Sequence, residues 1–106
     1  MPRNIRKILR ELKKGLVNIF GDQLNAVYLF GSFARGEGKL PDSDIDVMIV
    51  MSGDNRRDFL KQCVEFVSDL CLKYDVFISC KFVSAKYYKE NKMPFMLNVK
   101  DDALAI

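Results

Sequence analysis

Tyr28-Leu29-Phe30-Gly31-Ser32-Phe33-Ala34-Arg35-Gly36, followed at Ser43-Asp44-Ile45-Asp46-Val47-Met48-Ile49-Val50, is the stretch that decides how this chain folds. Val27 to Phe30 is a short apolar run suited to a buried strand. Gly31 ends it and lets the backbone turn tightly. Ser32 to Arg35 reads as a short helical turn, and Gly36, Gly38 and Pro41 make the connection that follows irregular. A second strand is expected over Asp44 to Met51. Side chains alternate across a strand, so Asp44, Asp46, Met48 and Val50 share one face and Ile45, Val47, Ile49 and Met51 the other.

Working outward, apolar residues at Ile5, Ile8, Leu9, Leu12, Leu16 and Ile19 recur at helical spacing and predict a helix over 3–20. Arg6, Lys7, Arg10, Lys13 and Lys14 cover its other side and read as a solvated basic face. Gly21-Asp22 stops this helix, and the first strand occupies 26–30. Ser52-Gly53-Asp54-Asn55 is a turn with N-cap chemistry. A helix over about 55–73 gathers Phe59, Leu60, Cys63, Val67, Leu70, Cys71 and Tyr74 on one side. A third strand is expected over 76–83, with Val76, Ile78, Cys80 and Phe82 apolar on one face and Phe77, Ser79 and Lys81 on the other. A polar helical turn over 84–91 follows. Met93-Pro94 breaks it, and Phe95 to Ala105 forms a last short helix. The order αβαβαβα predicts one α/β (α+β) domain over residues 1–106. It is a small mixed sheet with helices on one face and an open face around the carboxylates.

Composition narrows the class. At 106 residues with 49% hydrophobic content, the chain supports one domain with a modest core. No apolar stretch approaches a membrane span, and the polar, basic N-terminus lacks a signal-peptide core, so a cytoplasmic protein is expected. Histidine is absent, which removes imidazole bases and ligands. Cys63, Cys71 and Cys80 form no C-x-x-C pair and read as buried thiols. The net charge of +3 suits an anionic small molecule without demanding nucleic acid. Tyr87 and Tyr88 read as surface aromatics, Met48, Met51, Met93 and Met96 as core filler, and Lys86, Lys89, Lys92 and Lys100 as a solvated face.

The chemistry lies in the quoted stretch. Free N–H groups at a turn such as Ser32–Arg35 favour anions, phosphate above all. Arg35 adds a fixed charge with a planar donor fork. Two carboxylates at alternate strand positions repel unless a cation joins them, and Mg²⁺ is commonly held by one or two carboxylates plus substrate phosphates. Ser43 either orients Asp44 or sits in the loop. A P-loop is ruled out because Glu37 and Gly38 follow Gly36, and an EF-hand because Val47 and Gly53 stand where a glycine and an acidic residue belong.

Gly31-Ser32, Ala34-Arg35-Gly36, a gap of eleven residues after Ser32 and then Asp44-Ile45-Asp46 resemble the signature of the DNA polymerase β nucleotidyltransferase superfamily, in its minimal branch. The resemblance implies a nucleotidyltransferase that moves a nucleoside monophosphate from an NTP, ATP by preference, to an acceptor hydroxyl. It implies Mg²⁺ or Mn²⁺ on Asp44 and Asp46, and triphosphate on Gly31, Ser32, Arg35 and Ser43. It also implies a HEPN-type protein partner of the toxin–antitoxin kind; assembly of like copies is open. Active relatives carry a third carboxylate on the third strand. Asp75 alone has the parity for it, and it is either that ligand or the residue that turns the chain into the strand. Lys81 could neutralise phosphate charge instead. The alternative reading is a non-catalytic nucleotide-binding or antitoxin-like interaction module of the same fold.

Overall fold

The computed structural model describes residues 3–39, 42–52 and 57–106. Helix α1, Arg3–Phe20, leads through a 3₁₀ turn at Gly21–Gln23 into strand β1, Leu24–Phe30. Strand β2 is Ile45–Met51, helix α2 Arg57–Tyr74 and strand β3 Ile78–Ser84. Helices α3, Ala85–Glu90, and α4, Pro94–Asp102, precede a two-residue strand β4, Leu104–Ala105. The N-cap turn expected over Gly53–Asn55 and the core position expected for Phe59 lie outside what is described. No described helix is long and apolar enough to cross a membrane.

The strands form one mixed sheet in the order β3-β2-β1-β4. β1 runs antiparallel to β2, with Phe30 beside Asp46 and Tyr28 beside Met48. β2 runs parallel to β3, with Asp46 beside Ser79 and Met48 beside Lys81. The parallel pairing follows from the α2 crossover, since parallel strands cannot be joined by a tight turn.

β2 is the central strand, and every residue in it except Asp46 is buried. Its near-continuous apolar run is what a strand covered on both faces requires. On one face Ile45, Val47, Ile49 and Met51 pack with Val27 and Leu29 of β1 and Ile5, Ile8, Leu12 and Leu16 of α1. Cys63 and Leu70 of α2 join this core, and Gly15 of α1 lets the Phe66 ring of α2 press against the helix, where a Cβ would overlap it. Phe66 takes a packing role that the pattern gave to Leu60, which is exposed. Burial pushes the Cys80 thiol up to about 12, so it is a neutral packing group.

The opposite face is more covered than the sequence suggested. Phe30, Met48 and Val50 pack under Met96 and Val99 of α4, with Tyr88 alongside. Tyr88 is therefore no surface aromatic: it stacks on Tyr28 at 5.0 Å between ring centroids. Lys100 is not simply solvated either, since its Nζ donates to the carbonyls of Lys89 (3.2 Å), in the last turn of α3, and of Asn91 (3.1 Å), just beyond it. Met93 is exposed and fills no core. The last helix ends at Asp102, and the chain turns extended to pair Leu104 and Ala105 with Leu29 and Tyr28. What stays open on this face is the end carrying Asp46.

Candidate functional site

The site begins where β1 stops. Gly31 has φ +76°, a left-handed conformation that side chains resist. A Cβ there would overlap a carboxylate oxygen of Asp46 and stand 3.1 Å from its Cγ. Glycine is needed for the backbone twist and for the carboxylate that lies against it. The chain then coils into the expected turn: the Arg35 N–H donates to the Gly31 carbonyl (3.2 Å), and the Ser32 carbonyl accepts from Glu37 (2.8 Å) and Gly38 (3.1 Å). The first N–H groups of such a turn have no partner within it. Here these are the N–H groups of Ser32, Phe33 and Ala34, which begin beside Asp46.

Phe33, which sequence reasoning passed over, anchors the turn. Its ring is 3% exposed within the main core, and Gly38 crosses it so closely that a Cβ would strike the ring. An aromatic between a Gly-Ser pair and an Ala-Arg-Gly was the available signal.

Asp46 sits half-buried between Phe30 and Ser79, and Asp44 lies two residues earlier, exposed, at the strand's edge. Burial, and then the negative charge of Asp44, hold the Asp46 carboxyl above its ordinary value, while the positive charges of Lys81 and Arg35 act the other way. Four charged groups thus meet at one end of the sheet. Lys81 follows Ser79 by two residues, on the same face, and its Nζ is 5.9 Å from the centre of the Phe95 ring. Phe95 in turn sets its ring edge against Phe30, with centroids 6.2 Å apart. This pair of rings walls the open end on the α4 side.

Arg35 is tethered. Its Nη1 donates to Asp102 at the end of α4 (2.9 Å) and its Nε to Glu37 (3.2 Å). Asp102 had no signal in the sequence, because its contact joins segments 67 residues apart. Ser43 closes the loop: its hydroxyl accepts from the Lys39 N–H (3.1 Å), and its own N–H donates to the Lys39 carbonyl (2.8 Å). It therefore shapes the approach to Asp44.

Asp75 is placed at the end of α2 and not on β3. It adopts φ +53°, and the Val76 N–H returns to the Cys71 carbonyl at 3.1 Å, closing the helix in the usual left-handed manner. It lies four positions before Ser79, the residue beside Asp46, or roughly 13 Å along an extended chain. Asp75 serves as the turn residue, and Ser79 holds the register position across from Asp46. Among the described residues no three His, Cys, Asp or Glu side chains are gathered to hold a metal ion. Asp44 and Asp46 remain a two-carboxylate donor set of the kind Mg²⁺ accepts when substrate phosphates supply further oxygens.

Residues 3–100 match the nucleotidyltransferase domain family. A protein of Methanocaldococcus jannaschii, named as a candidate protein adenylyltransferase, is 37% identical over 75 residues, covering 71% of this chain and 75% of the relative. Among solved structures, a candidate minimal nucleotidyltransferase superposes with a TM-score of 0.62 at 24% identity, over all of this chain and 97% of that one. A toxin–antitoxin structure with AMP-PNP superposes at 0.56 with 21% identity, over 96% of this chain and 71% of that one. The matched span takes in the Gly31-Ser32 turn and both Asp44 and Asp46, so the chain belongs to the nucleotidyltransferase domain family and has the fold of a minimal nucleotidyltransferase.

Proposed function

We propose that the protein transfers the adenylyl group of Mg-ATP to a hydroxyl on a partner protein, releasing pyrophosphate. The observation that carries this reading is the Asp46 carboxylate seated against Gly31, which brings the Ser32–Arg35 turn and the two carboxylates side by side. The relative named for protein adenylylation and the neighbour with AMP-PNP support the choice of ATP and of a protein acceptor. A HEPN-type partner of the toxin–antitoxin kind is the acceptor we carry forward.

In this reading the N–H groups of Ser32, Phe33 and Ala34 and the Arg35 guanidinium bind the triphosphate. Asp44 and Asp46 would hold the Mg²⁺ or Mn²⁺, which would supply charge neutralisation at the phosphates. The acceptor oxygen bonds to the α-phosphorus in line, the bond to the β-phosphate oxygen breaks, and the hydroxyl proton leaves to solvent or to a nearby carboxylate. With no histidine in the chain, rate comes from positioning and electrostatics. Lys81, whose charge acts on Asp46, adds positive charge beside the two carboxylates. A single well-aimed donor at a developing charge is worth about 10²–10³ in rate.

One observation favours a second reading. Ser79 beside Asp46, with Asp75 committed to the helix end, leaves a site that could bind nucleotide without transferring it. Two measurements separate the readings. Mg-AMP-PNP should raise the melting temperature of the wild type but not of Asp44→Asn/Asp46→Asn; at a hundredfold excess over Kd the gain is about 2.7 kcal/mol. ATP labelled at the α-phosphate should mark a protein band in a lysate with wild type and not with Asp46→Asn. Stabilisation without label or pyrophosphate release would select the binding module, and no stabilisation would refute both.

A further inference from the structure

Arg35 enters the reading above as a triphosphate ligand, yet the one local group that holds its guanidinium is Glu37, whose side chain is 66% exposed. We infer that Asp102 is a positioning residue for Arg35, and that α4 reaches across the molecule to hold the phosphate-binding arginine in place. The inference rests on the proposed nucleotide site and adds to it a residue far away in sequence.

Three observations support it. The Asp102 contact is the shorter of the two that Arg35 makes, 2.9 Å against 3.2 Å to Glu37, and Asp102 is the less exposed partner, 24% against 66%. Asp102 also stands where a helix disfavours it. Helix C-termini carry partial negative charge and prefer cations, yet α4 ends on Asp101 and Asp102. Arg35 supplies the positive charge that makes this placement tolerable. Finally, Asp102 engages Nη1 and Glu37 engages Nε, so two of the five guanidinium N–H groups are occupied and the remaining donors are free to face a phosphate. The nearness of Arg35 to the Asp46 carboxylate is consistent with that aim. Being anchored from outside the turn, the guanidinium would not have to be ordered by the nucleotide on binding.

The test is a double-mutant cycle on Mg-AMP-PNP binding, measured by calorimetry with wild type, Asp102→Asn, Arg35→Ala and the double variant. Asp102→Asn keeps the shape and removes the charge. It should weaken binding between about two- and fivefold, the scale of a partly exposed ion pair. In the Arg35→Ala background the same change should do nothing, because the group it positions is gone. Asp102→Glu should restore part of the loss, and the Arg35 Nη1 protons, which Asp102 accepts, should exchange faster with water in Asp102→Asn while the Nε–H bonded to Glu37 should not. Equal losses in both backgrounds would show that Asp102 acts through the fold and not through Arg35. Tighter binding in Asp102→Asn would show that the carboxylate competes with phosphate. Both outcomes overturn the inference. Absence of wild-type binding would instead bring down the nucleotide site on which the inference rests, and the inference with it.

Discussion

Replacing Gly31 with alanine tests how the turn and the carboxylate depend on each other. Two costs add at this position. The φ of +76° penalises any side chain by about 1–2 kcal/mol. The new methyl also meets the Asp46 carboxylate, which must rotate away from a favoured geometry at about 0.5–1.5 kcal/mol. The sum is about 1.5–3.5 kcal/mol, or a fall of roughly 6–28 °C in Tm for a domain of this size. Gly36→Ala is the built-in control. Its φ is +77°, yet a Cβ there meets nothing within 4 Å, so it should lose only the backbone share. Urea denaturation followed by circular dichroism gives both values. The sharper readout is functional: Gly31→Ala should remain folded at 20 °C and lose the Mg-AMP-PNP shift, because Asp46 has been turned out of place, while Gly36→Ala keeps it. If the two variants were equally stable and bound nucleotide equally, the close contact between Gly31 and Asp46 would have no energetic meaning.

Asp46→Asn should leave the metal-free protein as stable at pH 7 as the wild type, or more so, while abolishing nucleotide binding. The folded Asp46 has a raised pKa, so the wild type gains stability as pH falls through that value, completely once below the ordinary value of 3.8, and Tm against pH should show the two proteins converging there. Glu11 gives the opposite sign. The Tyr74 hydroxyl donates to it at 2.6 Å and Lys73 pairs with it, so its carboxyl lies below the ordinary 4.5. The stability it contributes is present above 4.5 and lost as pH falls through the folded value, and Glu11→Gln should flatten that acid limb. Phe33→Ala, at a site only 3% exposed, should cost about 3–5 kcal/mol in urea denaturation; less than 1 kcal/mol would mean that the ring does not anchor the turn.

The local part of this architecture was legible in the sequence. Alternation along β2 put Asp46 with Met48 and Val50 on one face, and Gly31-Ser32 marked the turn that the carboxylate touches. The same alternation held a clue left unused: a face carrying Met48 and Val50 beside Tyr28 and Phe30 is too apolar to stay bare, and α4 covers it with Met96 and Val99. What could not be read depends on contacts between distant segments. Leu104 and Ala105 are extended because β1 offers an edge, a choice that two residues cannot encode by themselves. Asp102 was invisible because only the folded chain brings it to Arg35. Asp75 had the strand's parity, but a left-handed helix ending claimed it, and a non-glycine residue there gives little local warning.

β4 has a consequence for the order in which the molecule assembles. β1 meets β2, the next strand in the chain, but meets β4 only after nearly the whole chain has been placed. Pairings between distant segments bear the largest loop-closure entropy, so they form late and reopen first. Asp102 lies two residues before β4, at the end of α4, and so belongs to this late-closing strip. A chain that has completed its main core but not its last strand would therefore hold Asp44 and Asp46 ready while Arg35 was held by the exposed Glu37 alone. Amide exchange at Leu104 and Ala105, faster than at Val47 and Ile49, would report that state, and nucleotide should slow it by closing the strip from the other end.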